Sequence, residues 1–259
     1  MKVLFSDMDG TVINHEGILH EKDRKMMHEL QNHGHKVVFN TGRNYQEALF
    51  VLHKHNFPYD YLVLNNGAHI VDKEGKEIFK KLIPENVGKG IIEYCMEQPD
   101  LWTFFYTEER TIGYLNGKTY EHSMKGIHET TEYNFIEEYQ KMGSFNIIAL
   151  NQDNHQIDIL LRVQKFIAET YGEYAAGCLN TEYLDITAAG CSKGTGVRTL
   201  EETMQEDIES YCIGDSFKDL SMFEIASYAY TFHHVSEEIS KHTDKQVDCV
   251  YELISDMLK

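Results

Sequence analysis

The sequence predicts an α/β protein with a doubly wound parallel sheet, into which an α+β unit is inserted. Three observations support this prediction. Short apolar runs alternate with helix-like stretches in the first third of the chain, the same alternation returns in the last third, and the middle shows adjacent strand-like runs. Strands separated by helices are typical of parallel sheets, whereas neighbouring strands are typical of antiparallel ones. We therefore expect one domain at 1–82 and 188–259 and a second at 83–187.

The first third contains three predicted strands, each a short apolar run, and two predicted helices with apolar residues at helical spacing. A hairpin follows, because two strand-like runs flank the turn sequence 72–76. In chain order the predicted elements are strand Val3–Phe5, helix Glu21–His33, strand Val37–Phe39, helix Asn44–His55, strand Tyr61–Leu64 and hairpin strands Ala68–Val71 and Glu77–Leu82.

The middle of the chain mixes adjacent strands with helices, the pattern of an α+β unit. Its predicted elements are a helix opening at Pro84, strands Trp102–Thr107 and Thr111–Leu115, helix Phe135–Met142, strand Ser144–Leu150, helix Ile157–Tyr171 and strand Tyr183–Thr187. The alternation then resumes with helix Gly194–Met204, strand Ser210–Ile213, helix Phe217–Ile225, strand Tyr228–Phe232 and helix Cys249–Leu258. We expect the strands of the first and last thirds to share one sheet.

Composition narrows the class of protein. The chain has 259 residues, 42% of them hydrophobic, which is enough for one large domain or two smaller ones. Its formal net charge of −18 repels polyanions, so no nucleic-acid partner is expected. A phosphorylated ligand would need cations concentrated locally. No apolar run approaches about 18 residues, so no membrane association through a spanning helix is expected.

The cysteines and the start of the chain bear on the compartment. Five cysteines without CxxC spacing imply neither a disulfide framework nor a zinc site. The start shows no basic region followed by a long apolar stretch, so no secretory signal is expected. A reducing cytoplasm is therefore the expected compartment. The oligomeric state does not follow from the sequence.

The first predicted strand ends in two aspartates, Asp7 and Asp9, followed by Gly10. In open α/β sheets, ligands bind at the carboxyl ends of the strands. Two carboxylates so close together need a cation, a shared proton or hydrogen-bond donors, and Mg²⁺ prefers such oxygen ligands. The alternative interpretation is an ordinary Asp-rich turn.

Two further clusters offer groups that bind anions. After the second strand, Asn40-Thr41-Gly42-Arg43 combines a hydroxyl with backbone N–H groups that lead into a helix. Alternatively, Thr41 is only the N-cap of that helix. Lys193 stands just before another helix, where a cation is unfavourable unless an anion balances it. Alternatively, it is a solvated surface lysine.

A last cluster follows the strand at 210–213. Asp215 stands at the strand end, ready to bind a metal, and Asp219 lies one helical turn further. The alternative is a capping Asp with a first-turn Asp. Because the carboxyl ends of parallel strands share one edge, the four clusters would converge on one crevice, and their groups suit metal-assisted phosphoryl transfer. Hydride transfer is not indicated, because no GxGxxG follows the first strand.

In order and spacing, these clusters resemble the four motifs of the haloacid dehalogenase (HAD) superfamily. The insertion falls between the second and third motifs, and its mixed composition resembles the C2B caps of the Cof-type phosphatases. The resemblance implies a Rossmann-like HAD core at 1–82 and 188–259 and a C2B-type cap at 83–187 that sets substrate choice. The residues that carry it are Asp7-x-Asp9-Gly10-Thr11, Thr41, Lys193 and Gly214-Asp215-x-x-x-Asp219.

The resemblance also implies roles for the motif residues. Asp7 would be the nucleophile that forms an aspartyl-phosphate. Asp9 would be the general acid for the leaving alcohol and then the general base for water. The implied cofactor is Mg²⁺, and its implied binding set is Asp7, Asp9 through its backbone carbonyl, Asp215 and, in support, Asp219. The implied phosphate contacts are Thr41, Gly42 and Lys193, to which the position of Lys218 adds a further expected contact.

Two positions depart from the family pattern. Lys218 stands where relatives usually have asparagine, and it either contacts the phosphate, the interpretation favoured here, or points to solvent. His233 and His234 stand where relatives tend to have a Gly-Asn-Ala turn. A solvated loop is favoured there over a substrate contact.

The motifs and the resemblance together predict a Mg²⁺-dependent phosphomonoesterase for small phosphorylated metabolites, such as sugar phosphates or phosphorylated cofactors. Two alternatives stay open. A phosphomutase of the phosphomannomutase type needs a second phosphate site, for which the insertion offers only Arg110 and Arg162. A catalytically weak protein that binds a phosphorylated ligand is suggested by Lys218.

Overall fold

The computed structural model describes residues 1–14, 17–106, 110–123, 126–141, 147–152, 157–179, 183–204 and 206–259. The chain divides into a first unit, Met1–Lys80 with Cys191–Lys259, and a second unit, Lys81–Gly190. The boundaries expected from the sequence lie at 82/83 and 187/188. Three predicted elements have ends that lie outside the described residues, namely Thr107, Met142 and Ser144.

The apolar runs of the first 80 residues form strands, and the helix-like stretches between them form helices. In chain order these elements are β1 (Lys2–Ser6), α1 (Glu21–Asn32), β2 (Lys36–Asn40), α2 (Tyr45–His55), β3 (Tyr61–Leu64), a 3-10 helix (Asn65–Gly67), β4 (His69–Asp72) and β5 (Glu77–Lys80). Each strand and helix predicted in this part of the chain is therefore present, with ends that differ by a few residues.

The second unit mixes strands and helices. In chain order it contains α3 (Glu85–Met96), β6 (Leu101–Tyr106), β7 (Thr111–Leu115), β8 (Lys118–Ser123), β9 (Gly126–Glu129), α4 (Phe135–Lys141), β10 (Ile147–Gln152), α5 (Ile157–Tyr171), β11 (Ala175–Leu179) and β12 (Tyr183–Ala188).

The last part of the chain returns to the first unit. Its elements are α6 (Lys193–Met204), β13 (Glu209–Ile213), a 3-10 helix (Phe217–Asp219), α7 (Leu220–Phe223), β14 (Tyr228–Phe232), α8 (Glu237–Ser240), β15 (Lys245–Val247) and α9 (Val250–Met257). The single helix predicted over 217–225 is thus a 3-10 turn and a short α-helix, and α8 and β15 are absent from the prediction.

Eight of the described strands form the sheet of the first unit, in the order β15-β14-β13-β1-β2-β3-β4-β5. The strands from β15 to β3 pair in parallel, as expected where helices connect them. β4 and β5 pair antiparallel, because short connections join them to β3. β1 lies between β2 and β13, so strands from both ends of the chain flank it. The predicted α/β fold class is confirmed, with an antiparallel edge added to the parallel sheet.

Helices cover both faces of this sheet. Side chains alternate along β1, so Leu4 packs into one core and Val3 and Phe5 pack into the other. α1, α2 and α9 complete the first core, whereas α6, α7 and α8 complete the second. Strands buried on both faces need apolar residues at successive positions, which explains their continuous apolar runs. Among the described residues, no helix has the length and apolar character needed to cross a membrane.

Seven of the described strands form the antiparallel sheet of the second unit, in the order β11-β12-β10-β6-β7-β8-β9. β8, β9 and β11 are absent from the sequence prediction. β7 turns into β8 through Asn116 and Gly117, whose φ angles of 47° and 85° have the sign that a type I′ turn requires. That Asn-Gly pair is a recognisable hairpin signal. β9 is exposed throughout and carries no apolar pattern, so the sequence offers no comparable signal for it.

A buried carboxylate joins α1 to α9. Asp23 is 3% exposed, and its Oδ1 accepts the N–H of Tyr251 at 2.7 Å. Such an acceptor is needed because the first N–H groups of a helix have no partner within the helix. Burial raises the pKa of Asp23 to about 6, although the N–H of Tyr251 and the charge of His20 act against the rise.

This pKa gives a prediction for stability. The folded state raises the pKa of Asp23 above its ordinary value, so the stabilisation is complete at low pH and is lost as the pH rises through about 6. The substitution Asp23→Asn removes this titration. Between about pH 4.5 and about pH 8, we expect the free energy of unfolding of the wild type to fall by roughly 2 kcal/mol relative to that of the variant. Urea denaturation at both pH values measures the change.

Asp207→Asn alters an exposed aspartate and serves as the control for this comparison. Its stability difference from the wild type should vary little with pH. An equally flat difference for Asp23→Asn would contradict the assignment.

Candidate active site

The loops that follow β1 and β13 meet at the carboxyl edge of the sheet. Asp7 follows β1 directly, is buried, and donates its backbone N–H to the carbonyl of Ile213 at 3.0 Å. Gly10 has a φ of +83°, and a Cβ at this residue would lie 2.1 Å from Oδ2 of Asp215. Glycine is therefore required here, because the carboxylate of Asp215 packs against the turn that carries Asp7.

Lys193 lies between two buried carboxylates. It is the first residue of α6 and is 3% exposed. Its Nζ donates to Oδ1 of Asp7 and to Oδ1 of Asp219, both at 2.6 Å. The interpretation of Lys193 as a solvated surface lysine is therefore wrong, and the anions that balance its charge are these two carboxylates.

Asp219 holds the loop after β13 together. Its Oδ2 accepts the backbone N–H groups of Asp215 and Ser216 at 3.1 and 2.9 Å, and the Ser216 hydroxyl at 2.8 Å. Together with the bond from Lys193, these contacts engage both of its oxygens. Part of the capping interpretation is thus correct, because Asp219 completes a capping box with Ser216 at the start of the 3-10 helix.

Charge is unevenly balanced at Asp7. Burial raises the pKa of Asp7 most strongly, the carboxylates of Asp219 and Asp215 raise it further, and Lys193 acts against the rise. For Lys193, burial favours a lower pKa, but the charges of Asp219 and Asp7 outweigh it and raise the pKa. Lys193 therefore stays protonated, and the ionised form of Asp7 would be favoured by a further cation.

The carboxylate cluster fits a divalent ion. Asp7, Asp215 and Asp219 each offer one oxygen, and these oxygens lie within 4.8 Å of one another. Ligands that are all oxygen suit a hard cation such as Mg²⁺. Oδ2 of Asp219 accepts three hydrogen bonds and its Oδ1 accepts the Lys193 ammonium, whereas Oδ2 of Asp7 accepts a longer bond, from the Thr11 hydroxyl at 3.4 Å. Asp7 and Asp215 are therefore the better candidates for direct ligands.

Asp9 is bound by a residue to which the sequence prediction gives no role. The guanidinium of Arg43 donates from Nε to Oδ2 of Asp9 at 2.8 Å and from Nη2 to Oδ1 at 2.7 Å. The Asp9 side chain is 52% exposed and that of Arg43 is 32% exposed. The two residues therefore form a bidentate ion pair that solvent reaches.

The polar segment after β2 leads into α2. The N-cap of this helix is Asn44, whose side chain accepts a backbone N–H of the first turn at 2.9 Å, so the interpretation of Thr41 as the N-cap is wrong. Thr41 is buried, and its hydroxyl accepts the N–H of Arg43 at 3.2 Å. A Cβ at Gly42 would lie 3.2 Å from Oδ1 of Asn66, so the backbone at Gly42 packs closely against that side chain.

The two positions that depart from the family pattern differ in their surroundings. Lys218 is partly buried and precedes Asp219 in the 3-10 helix. His233 and His234 are exposed, with Nδ1 of His233 3.1 Å from Oε1 of Gln246 and the ring of His234 stacked on Phe232. The exposure of the histidines agrees with a solvated loop.

Three residues outside the predicted set support the site. Arg43 binds Asp9, Asn40 donates from Nδ2 to the Lys193 carbonyl at 2.9 Å, and Thr231 donates its hydroxyl to the Gly214 carbonyl at 2.7 Å. Arg43 and Asn40 stand in the polar segment 40–43, where a cation and an amide at a strand end were available signals. Thr231 is the one threonine in β14, among tyrosine, alanine and phenylalanine, and the sequence carries no signal for its role.

Comparisons with known proteins agree with this geometry. The 5-amino-6-(5-phospho-D-ribitylamino)uracil phosphatase of Bacillus subtilis is 22% identical over 264 residues, covering 93% of this chain and 91% of the relative. The HMP-PP phosphatase of Yersinia pestis is 24% identical over 226 residues, covering 83% of this chain and 78% of the relative. A solved HAD subclass IIB sugar phosphatase has the same fold, with a TM-score of 0.77 at 19% identity over 100% of this chain and 98% of that one.

The family itself is matched over most of the chain. The sequence profile of the haloacid dehalogenase-like hydrolases matches residues 4–252, which includes every motif on which the resemblance rests. The predicted enzyme class, a hydrolase of the phosphatase type, is confirmed with it. The chain belongs to the haloacid dehalogenase-like hydrolase family.

Proposed function

We propose that the protein is a Mg²⁺-dependent phosphomonoesterase that acts on small phosphorylated metabolites through an aspartyl-phosphate. One observation carries this proposal: the buried Lys193 bridges the buried Asp7 and Asp219, and the partly buried Asp215 lies beside them. A buried cation between carboxylates at the edge of a parallel sheet suits the transfer of an anionic group, because fixed charges stabilise the phosphoryl oxygens as the transition state forms.

Asp7 and Asp9 carry the proposed chemistry. An oxygen of Asp7 attacks phosphorus, the bond from phosphorus to the substrate oxygen breaks, and Asp9 gives a proton to that oxygen. Water then attacks the phosphorus of the aspartyl-phosphate and gives a proton to Asp9. The bond from phosphorus to the Asp7 oxygen breaks, so inorganic phosphate leaves and Asp7 is free again. Lys193 keeps Asp7 oriented, since its Nζ lies 2.6 Å from Oδ1 of Asp7.

The Mg²⁺ ligands in this proposal are the Asp7 carboxylate, the Asp9 backbone carbonyl and Asp215, with Asp219 orienting Asp215 through its backbone N–H. The ion would offset the repulsion between Asp7 and the incoming phosphoryl group. The proposed phosphate contacts, which would come from side-chain donors and a backbone N–H, are Thr41, Gly42, Lys193 and Lys218.

The substrate class is inferred from relatives. The relatives are named as phosphatases of a ribitylaminouracil phosphate, of HMP-PP and of sugar phosphates. These substrates share a phosphoryl group on a small polar metabolite, which supports the same class for this protein. The net charge of −18 disfavours nucleic acids as substrates, and a cytoplasmic location is part of the proposal.

The phosphomutase alternative finds little support in the second unit. Arg110 contacts Glu138 at 3.2 Å and Glu121 at 3.7 Å, and its guanidinium lies 4.3 Å from the centre of the Tyr133 ring. These partners neutralise the charge that a second phosphate site would need. Arg162 is exposed on α5. Hydrolysis is therefore the better proposal.

Asp7→Asn tests the nucleophile. We expect hydrolysis of an aryl phosphate to fall by about a thousandfold or more, since the attacking oxygen loses its charge. The melting temperature without Mg²⁺ should change little, because Asp219 still balances the buried charge of Lys193 in the variant. Phosphate release and thermal unfolding measure the two effects, with Asp207→Asn as the surface control. Hydrolysis near the wild-type rate in Asp7→Asn would contradict the assignment.

Chelation tests the metal. EDTA should abolish hydrolysis and Mg²⁺ should restore it, because an ion that binds the folded state both supports catalysis and stabilises the fold. Independently of activity, Mg²⁺ should raise the melting temperature of the wild type and leave that of Asp215→Asn unchanged. Equal shifts in the two proteins would contradict the assignment of Asp215 as a ligand.

Lys218→Asn tests the departure from the family pattern. If Lys218 only replaces a phosphate contact, kcat/KM should change by less than about tenfold, the usual effect of losing one charge contact that solvent still reaches. Steady-state kinetics with an aryl phosphate measure the change. Complete loss of activity would contradict this limited role. Absence of turnover in a well-folded wild type with Mg²⁺ would favour a protein that only binds a phosphorylated ligand.

A further inference from the structure

We propose that Arg43 is a partner shared by Asp9 and the substrate. In the free enzyme its guanidinium holds the Asp9 carboxylate, and on binding it passes to the phosphoryl oxygens and releases Asp9 toward the leaving group. This inference rests on the proposed function, because it assumes that a phosphoryl group binds beside Asp7. It adds a residue that positions Asp9 in the free enzyme and binds the phosphoryl group in the complex.

The contact with Asp9 occupies the groups that the reaction needs. Both carboxylate oxygens face N–H donors of Arg43, at 2.8 and 2.7 Å. While this pair is intact, the carboxylate is held facing the guanidinium in its ionised form, without a proton to give to a substrate oxygen. The pair must therefore open, and Asp9 must take a proton from the solvent that reaches it, before Asp9 can give a proton to a leaving group.

The ion pair between Arg43 and Asp9 lies where Arg43 can readily exchange Asp9 for another anion. Solvent reaches both side chains, which are 52% and 32% exposed, and exposed ion pairs are weak because water competes for both partners. A guanidinium carries five N–H donors, of which the contact with Asp9 uses two. Arg43 can therefore meet an incoming anion before it leaves Asp9.

The backbone of Arg43 is fixed beside the proposed phosphate contacts. Its N–H donates to the Thr41 hydroxyl at 3.2 Å, and its carbonyl accepts the N–H of Asn65 at 3.0 Å. The next residue, Asn44, caps α2. Only the side chain thus needs to move, and its base stands two residues from Thr41.

Phosphate is the stronger competitor for the guanidinium. Carboxylate and phosphate both match its planar fork, so one can replace the other without loss of geometry. A phosphoryl group brings more charge than one carboxylate does. Substrate binding is therefore expected to open the ion pair between Arg43 and Asp9. The phosphate ester, whose leaving group needs a proton, thus frees the residue that supplies this proton.

Competition between Asp9 and phosphate for Arg43 can be measured as phosphate affinity, without measuring turnover. Titration calorimetry with inorganic phosphate and Mg²⁺ would compare the wild type with Arg43→Gln, Asp9→Asn and the double variant. Arg43→Gln should weaken binding by roughly tenfold or more, since a charged bidentate contact is lost. Asp9→Asn should tighten binding severalfold, because phosphate no longer displaces the carboxylate. In the Arg43→Gln background, the same Asp9 change should have no effect.

Further variants distinguish the loss of the Arg43 contact from a general effect of removing a surface arginine or of unfolding. Arg24→Gln breaks another exposed ion pair, with Glu21 at 2.7 Å, and should leave phosphate affinity unchanged. Arg43→Lys keeps the charge without the fork and should bind phosphate between the wild type and Arg43→Gln. Melting temperatures establish that each variant is folded.

The outcomes are distinct. Tighter phosphate binding by Asp9→Asn that disappears without Arg43 supports the exchange. Equal tightening in both backgrounds means that Asp9 only repels phosphate, and it overturns the inference. Unchanged affinity in Arg43→Gln also overturns it, even if the wild type hydrolyses phosphate esters. Wild-type protein that neither binds phosphate nor hydrolyses an ester overturns the inference together with the proposed function.

Discussion

The candidate site depends on the balance of charge around Lys193. Its ammonium is buried and donates to Asp7 and Asp219 at equal distances of 2.6 Å. Removing a charge from water is costly unless opposite charges and hydrogen bonds replace the water. Lys193 and its carboxylates therefore require one another, and this requirement holds the end of β1, the start of α6 and the loop after β13 in one arrangement. The remaining negative charge at Asp7 and Asp215 is what makes a divalent cation a fitting partner.

The parallel sheet brings these residues together. β1 lies between β2 and β13, so three loops that are distant in sequence leave the same edge side by side. Polar contacts then lock them, as when Asn40 at the end of β2 donates to the Lys193 carbonyl and Thr231 in β14 donates to the Gly214 carbonyl. The apolar cores on both faces hold the strands, and the polar contacts at the edge hold the loops. The positions of the site residues are therefore fixed by the packing of the strands and helices that carry them.

Elements and contacts that depend on neighbouring residues in the sequence were predicted better than those that depend on distant ones. β1, β3 and α5 follow from apolar runs and helical spacing, and the structure contains them. β9 has no apolar pattern, because pairing with β8 holds it in place and its side chains face solvent. Thr41 was open to a local explanation as a helix cap, but Asn44 takes that role. Arg43 stood in a segment that was already suspected, yet only its contact with Asp9 gives it a purpose.

Order and spacing along the chain were enough to determine the α/β class, the family and the strand ends where acidic and basic residues gather. These properties depend on neighbouring residues or on the order of motifs, and both can be read from the amino-acid sequence. The partners of each charge were decided only by tertiary structure. Asp219 engages both oxygens, Lys193 lies between two carboxylates and Arg43 binds Asp9, since each contact joins segments that the sheet brings together and that no local pattern relates.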